Sequence, residues 1–334
     1  MENVIFYSNE HLKQFTRWRW GEEKLGEVIG TANSWEELTE STAKYVLIGI
    51  PEDIGVRANY GRPGASKAWN ATLNSLCNFQ NNAHLQSDNV IILGEVDCKE
   101  EMLEAQQLTD DDPFFPTKIG SLVKNIDDKV SSIVRSIVEI NKVPILIGGG
   151  HNNSYGNLKG SSEAYDKPIH AINFDAHTDF RPLEHRHSGN GFTYAKEEGF
   201  LGNYFILGVH RNYTSQAILD SIEEMGKDIQ MTYYEDINIS EKNTLKQSFE
   251  AAKKHCCGDY FGLELDMDAI RGMGSSALSP EGFSLSEARK YISYFSSHKN
   301  CCYIHICEGS PKHELHENQV GKSLAFLIAD ILSA

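Results

Sequence analysis

The chain has 334 residues, with 31 Lys and Arg against 47 Asp and Glu, giving a formal net charge of -16. Hydrophobic residues make up 40% and charged residues 23%, a globular composition that excludes a disordered or fibrous chain. The acidic excess repels phosphate backbones and anionic lipid, so neither nucleic acid nor membrane is expected as a partner, and an anionic small-molecule substrate would need a local cluster of cations.

The first ten residues, Met1 to Glu10, lack the basic and apolar regions of a secretory signal. No apolar run approaches the roughly 20 residues needed to cross a bilayer. Seven cysteines include the adjacent pairs Cys256-Cys257 and Cys301-Cys302 and form no CxxC. Adjacent cysteines rarely meet the geometry of a bridge, so reduced thiols in a cytoplasmic protein are expected.

Short aliphatic or β-branched runs recur along the chain at 45–50, 90–93, 143–147, 169–174, 204–209, 260–265 and 302–306. Near-continuous apolar runs of this length predict strands buried on both faces, as in a parallel sheet. Helical patterns lie between them. The clearest is the stripe Ile119, Leu122, Val123, Ile126, Val130, Ile133, Val134, Ile137 and Val138, and 241–256, 284–297 and 318–333 also read as helices. Alternating buried strand and helix predicts an α/β fold with helices on both sides of the sheet, and ligands in such folds gather at the carboxyl ends of strands.

Three strand ends carry candidate ligands. After 143–147 comes Gly148-Gly149-Gly150-His151, a flexible turn that delivers a histidine. It is neither GxGxxG nor a phosphate loop, and taken alone it equally fits a glycine-rich turn with a structural histidine. After 169–174 comes Asp175-Ala176-His177-Thr178-Asp179, whose alternate residues share an orientation in extended chain. After 260–265 come Asp266 and Asp268, with Glu264 on the same parity. Four carboxylates and two imidazoles are costly to gather without cations. Mixed carboxylate and imidazole donors suit Mn²⁺ better than Zn²⁺ or Ca²⁺, and six ligands suit two ions sharing carboxylates, which together ionise a water.

These motifs, in this order, resemble the ureohydrolase family of arginase, agmatinase and formimidoylglutamase. A fourth match is Glu308 in His305-Ile306-Cys307-Glu308-Gly309-Ser310-Pro311, and the likeness runs from about Ile48 to Pro311. The resemblance implies an α/β fold of three layers, α/β/α, with a mainly parallel central sheet, arginase-like, as a single unit over 1–334. It also implies two Mn²⁺ per subunit and hydrolysis of a C–N bond in a guanidino or amidino group. Trimers or hexamers are common in the family, so a homo-oligomer is expected. Carried over, His151, Asp175, Asp179 and Asp266 would hold one ion. His177, Asp175, Asp266 and Asp268 would hold the other. Asp179 and Glu308 would be catalytic, Asp179 relaying a proton and Glu308 pairing with the cationic head of the substrate.

Departures from the family pattern narrow the choice. Phe192 stands where arginase carries a proton-shuttling histidine, Glu264 where a small hydroxyl residue is usual, Asn152 where an aspartate or serine is common, and His305 where an aspartate is frequent. An aromatic beside the Ser188-Gly189-Asn190 loop is most like the formimidoylglutamase branch. A dianionic tail would need local cations and hydrogen-bond donors, for which Arg57, Asn59 and Arg62 and the later Arg181, Arg186, His187 and Asn190 are candidates. The expected reaction is hydrolysis of N-formimidoyl-L-glutamate to L-glutamate and formamide in histidine breakdown. Its alternatives are a ureohydrolase acting on agmatine, a guanidino acid or arginine, and a non-catalytic metal-binding relative.

Overall fold

The structure, a computed structural model, describes residues 3–333. Ten strands form one sheet: β1 Val4–Phe6, β2 Gly30–Thr31, β3 Tyr45–Gly49, β4 Val90–Val96, β5 Val143–Ile147, β6 Ile169–Phe174, β7 Leu201–Val209, β8 Ile229–Tyr233, β9 Phe261–Asp266 and β10 Cys301–Cys307. Their order is β1-β4-β3-β5-β10-β9-β6-β7-β8, with β2 also beside β4. Every pairing is parallel except that of β1 with β4, so the carboxyl ends of the central strands lie on one rim. All seven predicted strands are present. The additional strands are β1 and β2, too short to leave a periodic pattern, and β8, a half-buried edge strand whose Gln230 and Thr232 interrupt its apolar residues.

Side-chain alternation divides the core into two layers. Tyr45, Leu47, Ile145, Ile147, Leu263 and Leu265 pack with the helices Ala68–Leu76, Leu245–Cys256, Leu285–Phe295 and Gln319–Leu332. Val46, Ile48, Leu146, Tyr204 and Tyr303 pack with Phe115–Glu139, Asn153–Tyr165 and Gly191–Glu197 on the opposite face. The architecture is therefore helix, sheet, helix. The starts of Leu245–Cys256 and Leu285–Phe295 are set by capping boxes, Thr244 with Gln247 and Ser284 with Glu287, which satisfy otherwise orphaned N–H groups. This places the first of them a turn later than the sequence pattern suggested. All seven cysteines are buried and free. Among the described residues, no helix is long and apolar enough to cross a membrane.

Candidate metal centre and active site

The ends of β5, β10, β9 and β6, four neighbouring strands at the middle of the sheet, carry the candidate ligands side by side. Beyond β5 the chain turns sharply through Gly148 and Gly149, at φ of 91° and 72°. A Cβ on Gly149 would sit 2.3 Å from Asn153 Nδ2 and 2.8 Å from Glu52 Oε1, so only glycine fits this approach. Glu52, just past β3, fastens the turn. Its buried carboxylate accepts from Gly150 N at 3.0 Å, Asn153 Nδ2 at 2.7 Å and Ile54 N at 2.6 Å. The sequence reading passed over Glu52, whose one signal is a carboxylate immediately after an all-apolar strand.

The turn delivers His151 into a ring of carboxylates. Its Nδ1 lies 2.8 Å from Asp179 Oδ2 and 3.2 Å from both Asp175 Oδ2 and Asp266 Oδ2. His177 Nδ1 lies 3.1 Å from Asp268 Oδ2 and 3.6 Å from Asp175 Oδ1. Local turns aim the aspartates: Asp175 accepts from His177 N and Asp266 from Asp268 N, each at 2.7 Å. Three sets of ligand atoms converge: two hold the aspartates, one from His151, Asp175, Asp179 and Asp266 and the other from Asp175, His177 and Asp268, and the third, from His151, His305 and Cys307, is wholly buried. Asp175 belongs to both aspartate sets. Asp266, expected in both, has its ligand atom grouped with the first.

The electrostatics call for cations. Burial, then the charges of Asp268 and Asp175, push the Asp266 carboxyl well above its usual range, and burial with Asp175 raises Asp179. Burial alone would lower both histidines, yet Cys307 with Asp179 and Asp175 lifts His151, and Asp268 with Asp175 lifts His177, well above the ordinary imidazole range. Both ring nitrogens of His151 and Asp268 Oδ1 are buried without a well-formed hydrogen bond. Carboxylate oxygens and imidazole nitrogens left in this state are a fitting donor set for divalent ions of the Mn²⁺ type.

Glu308, in the left-handed region at φ 60°, turns its carboxylate to this rim. Oε1 accepts from His151 N at 3.0 Å and Oε2 from Ser276 Oγ at 3.2 Å. Burial, reinforced by Asp268 and Asp179, pushes its carboxyl up to about 8. A cavity of about 570 Å³ opens above, floored by His177, Asp179, Asp266, Asp268 and Glu308 and walled by Asn59, Arg181, Ser188 and Tyr213. Tyr213, absent from the sequence reading, stacks on His177 with centroids 5.1 Å apart and an interplanar angle of 14°. Arg181 Nη1 donates to Asn59 Oδ1 at 3.1 Å and its Nη2 to Glu184 Oε1 at 2.9 Å, and Asn59 Nδ2 donates to Ser188 Oγ at 3.3 Å.

Five residues expected to hold substrate are absent from that lining: Arg62 donates to the carbonyls of Ser276 and Ser275, at 2.9 and 3.3 Å, and four others are engaged elsewhere. Arg57 donates to the carbonyls of Ala105 and Leu108, at 2.6 and 3.1 Å, and borders a different hollow. Arg186 is completely buried against Asp127, with the Asn152 carbonyl accepting at 3.0 Å. Asn190 is buried, accepting from Arg186 and from His187 N and donating to the His185 carbonyl. His187 is buried too, its Nδ1 accepting from Gly189 N at 3.0 Å while Nε2 meets Glu184 Oε1 at 2.9 Å. Although Ser188 faces the cavity, the loop after Arg181 dives inward at Arg186, His187 and Asn190, whose polar groups secure the loop and do not face the cavity. Phe192 likewise packs edge-on against His151, with centroids 5.2 Å apart, and does not line the cavity.

Burial lowers His187 to about 4, overcoming the pull of Glu184. The folded state therefore prefers the neutral ring, and the stability this confers is present above the unfolded value near 6.5 and is lost as pH falls through 4. Unfolding free energy should drop by about 3 kcal/mol across that window, an upper figure for a pair shared with a partly exposed carboxylate. His187→Asn should flatten urea-unfolding stability between pH 6.5 and 4. A slope equal to that of the unsubstituted chain would remove His187 from its cause.

Comparison with known proteins agrees with this geometry. The family model described as the arginase family matches residues 43–333. A formimidoylglutamase of Geobacillus kaustophilus is 29% identical over 297 residues, covering 86% of this chain and 83% of the relative. A crystal structure of formimidoylglutamase from Bacillus subtilis superposes with a TM-score of 0.75 at 19% identity, covering 95% of this chain and 93% of that one. A Trypanosoma cruzi formiminoglutamase structure with Mn²⁺ gives 0.73 at 20% identity, covering 93% and 98%. With its sheet order, its clustered strand-end ligands and a family match over most of its length, this chain belongs to the arginase family.

Proposed function

We propose that this chain hydrolyses N-formimidoyl-L-glutamate to L-glutamate and formamide, with two Mn²⁺ held by His151, Asp175, His177, Asp179, Asp266 and Asp268. The observation that carries the reading is a cavity of two characters: the Glu308 carboxylate beside the acidic cluster, and Arg181 with Asn59 on the wall. A substrate cationic at one end and dianionic at the other suits both. The names of the relatives support the same choice.

Bound divalent ions would supply a water ionised near neutral pH and a clamp on the developing charge. The residues of the chain supply the rest. Glu308 accepts the forked N–H donors of the formimidoyl head and orients its carbon toward the cluster. Asp179, at the junction of cluster and cavity, takes the proton released by the attacking water and hands it to the departing glutamate nitrogen as the C–N bond breaks. Arg181, exchanging its contact with Glu184, pairs with a substrate carboxylate through its guanidinium N–H groups.

The test is a substrate panel with the purified Mn²⁺ protein. Formamide release from N-formimidoyl-L-glutamate is the expected result. Urea release from agmatine, arginine or a guanidino acid, with no turnover of the formimidoyl compound, would replace the substrate. Metal and ligand binding without product would mark a non-catalytic relative. Arg181→Ala should raise KM for the formimidoyl substrate about 10- to 100-fold, the loss of one charged hydrogen-bonded pair, with a smaller change in kcat. An unchanged KM would remove Arg181 from the site.

A further inference from the structure

Directly behind His151 lies a buried carboxylate that the chemistry above does not use. Glu264 on β9 faces His305 on β10 in register, and both are completely buried. Glu264 Oε2 lies 2.6 Å from His305 Nδ1 and 3.5 Å from His151 Nε2, the latter a charge contact without a formed hydrogen bond. Oε1 accepts from Tyr303 Oη at 2.9 Å. His305 Nε2 in turn lies 3.3 Å from the Gly148 carbonyl, in the turn that carries His151. One pair of side chains thus touches both the ring of His151 and the backbone that delivers it. A charged group in the middle of a sheet costs several kcal/mol unless it is well partnered, so an apolar residue would serve packing alone better.

We infer that Glu264 is a positioning residue for His151, kept in aim by His305 and Tyr303. A neutral imidazole offers one lone pair, and the acceptor on its far side decides which nitrogen carries it. Glu264 faces Nε2 and so reserves Nδ1, the nitrogen within 3.2 Å of Asp175, Asp179 and Asp266, for a cation. The inference rests on reading the cluster as a metal centre and is independent of the substrate.

Titrating the chelated protein with Mn²⁺, with free ion followed by electron paramagnetic resonance, tests it alongside thermal unfolding with and without the ion. Glu264→Gln should weaken one of the two ions about 10- to 100-fold and leave the other near its original affinity. It should also shrink the Mn²⁺-induced rise in Tm by more than it lowers the Tm of the chelated protein. Unchanged affinity for both ions, or equal Tm losses with and without Mn²⁺, would reduce Glu264 to a packing role and overturn the inference. Should Glu264→Gln fail to fold, His305→Gln carries the same readout, with a smaller loss at the same ion expected and no loss overturning it. An unsubstituted chain that binds no Mn²⁺ would overturn the metal centre as well, an outcome distinct from failure of Glu264 alone.

Discussion

Asp266→Asn is expected to make the metal-free protein more resistant to heat while lowering turnover by at least about 10³-fold. The two effects share one origin. Asp266 is buried beside Asp268 and Asp175, and that company holds its carboxyl far above the usual range. A carboxyl raised in this way favours the fold when protonated. Its contribution is present below the unfolded carboxylate range and is lost as pH rises through the folded value. Asparagine keeps the shape and can still accept from the Asp268 N–H, which Asp266 Oδ1 meets at 2.7 Å. It removes the repulsion, and with it a ligand for the cation that would offset the repulsion. Thermal unfolding in chelator from pH 5 to 8 should show the variant above the unsubstituted chain, by a margin that grows with pH. Saturating Mn²⁺ should reverse the order. A variant that melts lower in chelator would show that the carboxylates are not in conflict.

The largest loss of stability is expected at Arg186. All five of its N–H donors are engaged, by both oxygens of Asp127, by the carbonyls of His187 and Asn152, and by Asn190 Oδ1. Tyr155 and Tyr194 lie over its guanidinium at 5.2 and 5.0 Å. Arg186→Ala would strand the Asp127 carboxylate in the core, where burial already pushes it up to about 6 with the arginine present. The expected cost is about 3–5 kcal/mol in urea unfolding. Removing both charges, as in Asp127→Leu with Arg186→Met, should recover much of it, since two apolar groups leave neither charge unpaired. Turnover should fall in the single variant too, because Asn152 adjoins His151. A loss below 1 kcal/mol would contradict the pairing.

Arg186 also marks the limit of what the sequence discloses. The ligands were legible because their spacing is geometric: alternate residues leaving a strand share a direction, and a parallel sheet brings strand ends to one rim. A loop has no such period. Arg181 and Arg186 both follow the DAHTD motif closely, yet one reaches the cavity wall and the other turns inward to a partner 59 residues earlier in the chain. That partner, Asp127, sits beside exposed Asp128 on a helix whose apolar stripe gives no hint that one of two adjacent aspartates is buried. Glu264 and His305 were unreadable singly for a related reason. Each is an isolated polar residue in an apolar strand, and only the register of β9 against β10 makes them a pair.

The position of β10 has a consequence for biogenesis. This strand enters the sheet last in sequence and lies between β5 and β9, at the centre and not at an edge. Until it is synthesised, the nascent chain holds two sheet fragments, each with an unpaired border of backbone donors and acceptors facing the other. Such borders are sites of mispairing between neighbouring chains, and closing them requires contacts far apart in sequence, which form slowly. Molecules released early from the ribosome should therefore aggregate, and ion capture should trail translation, since the rim that gathers the donors is complete only when the gap is filled.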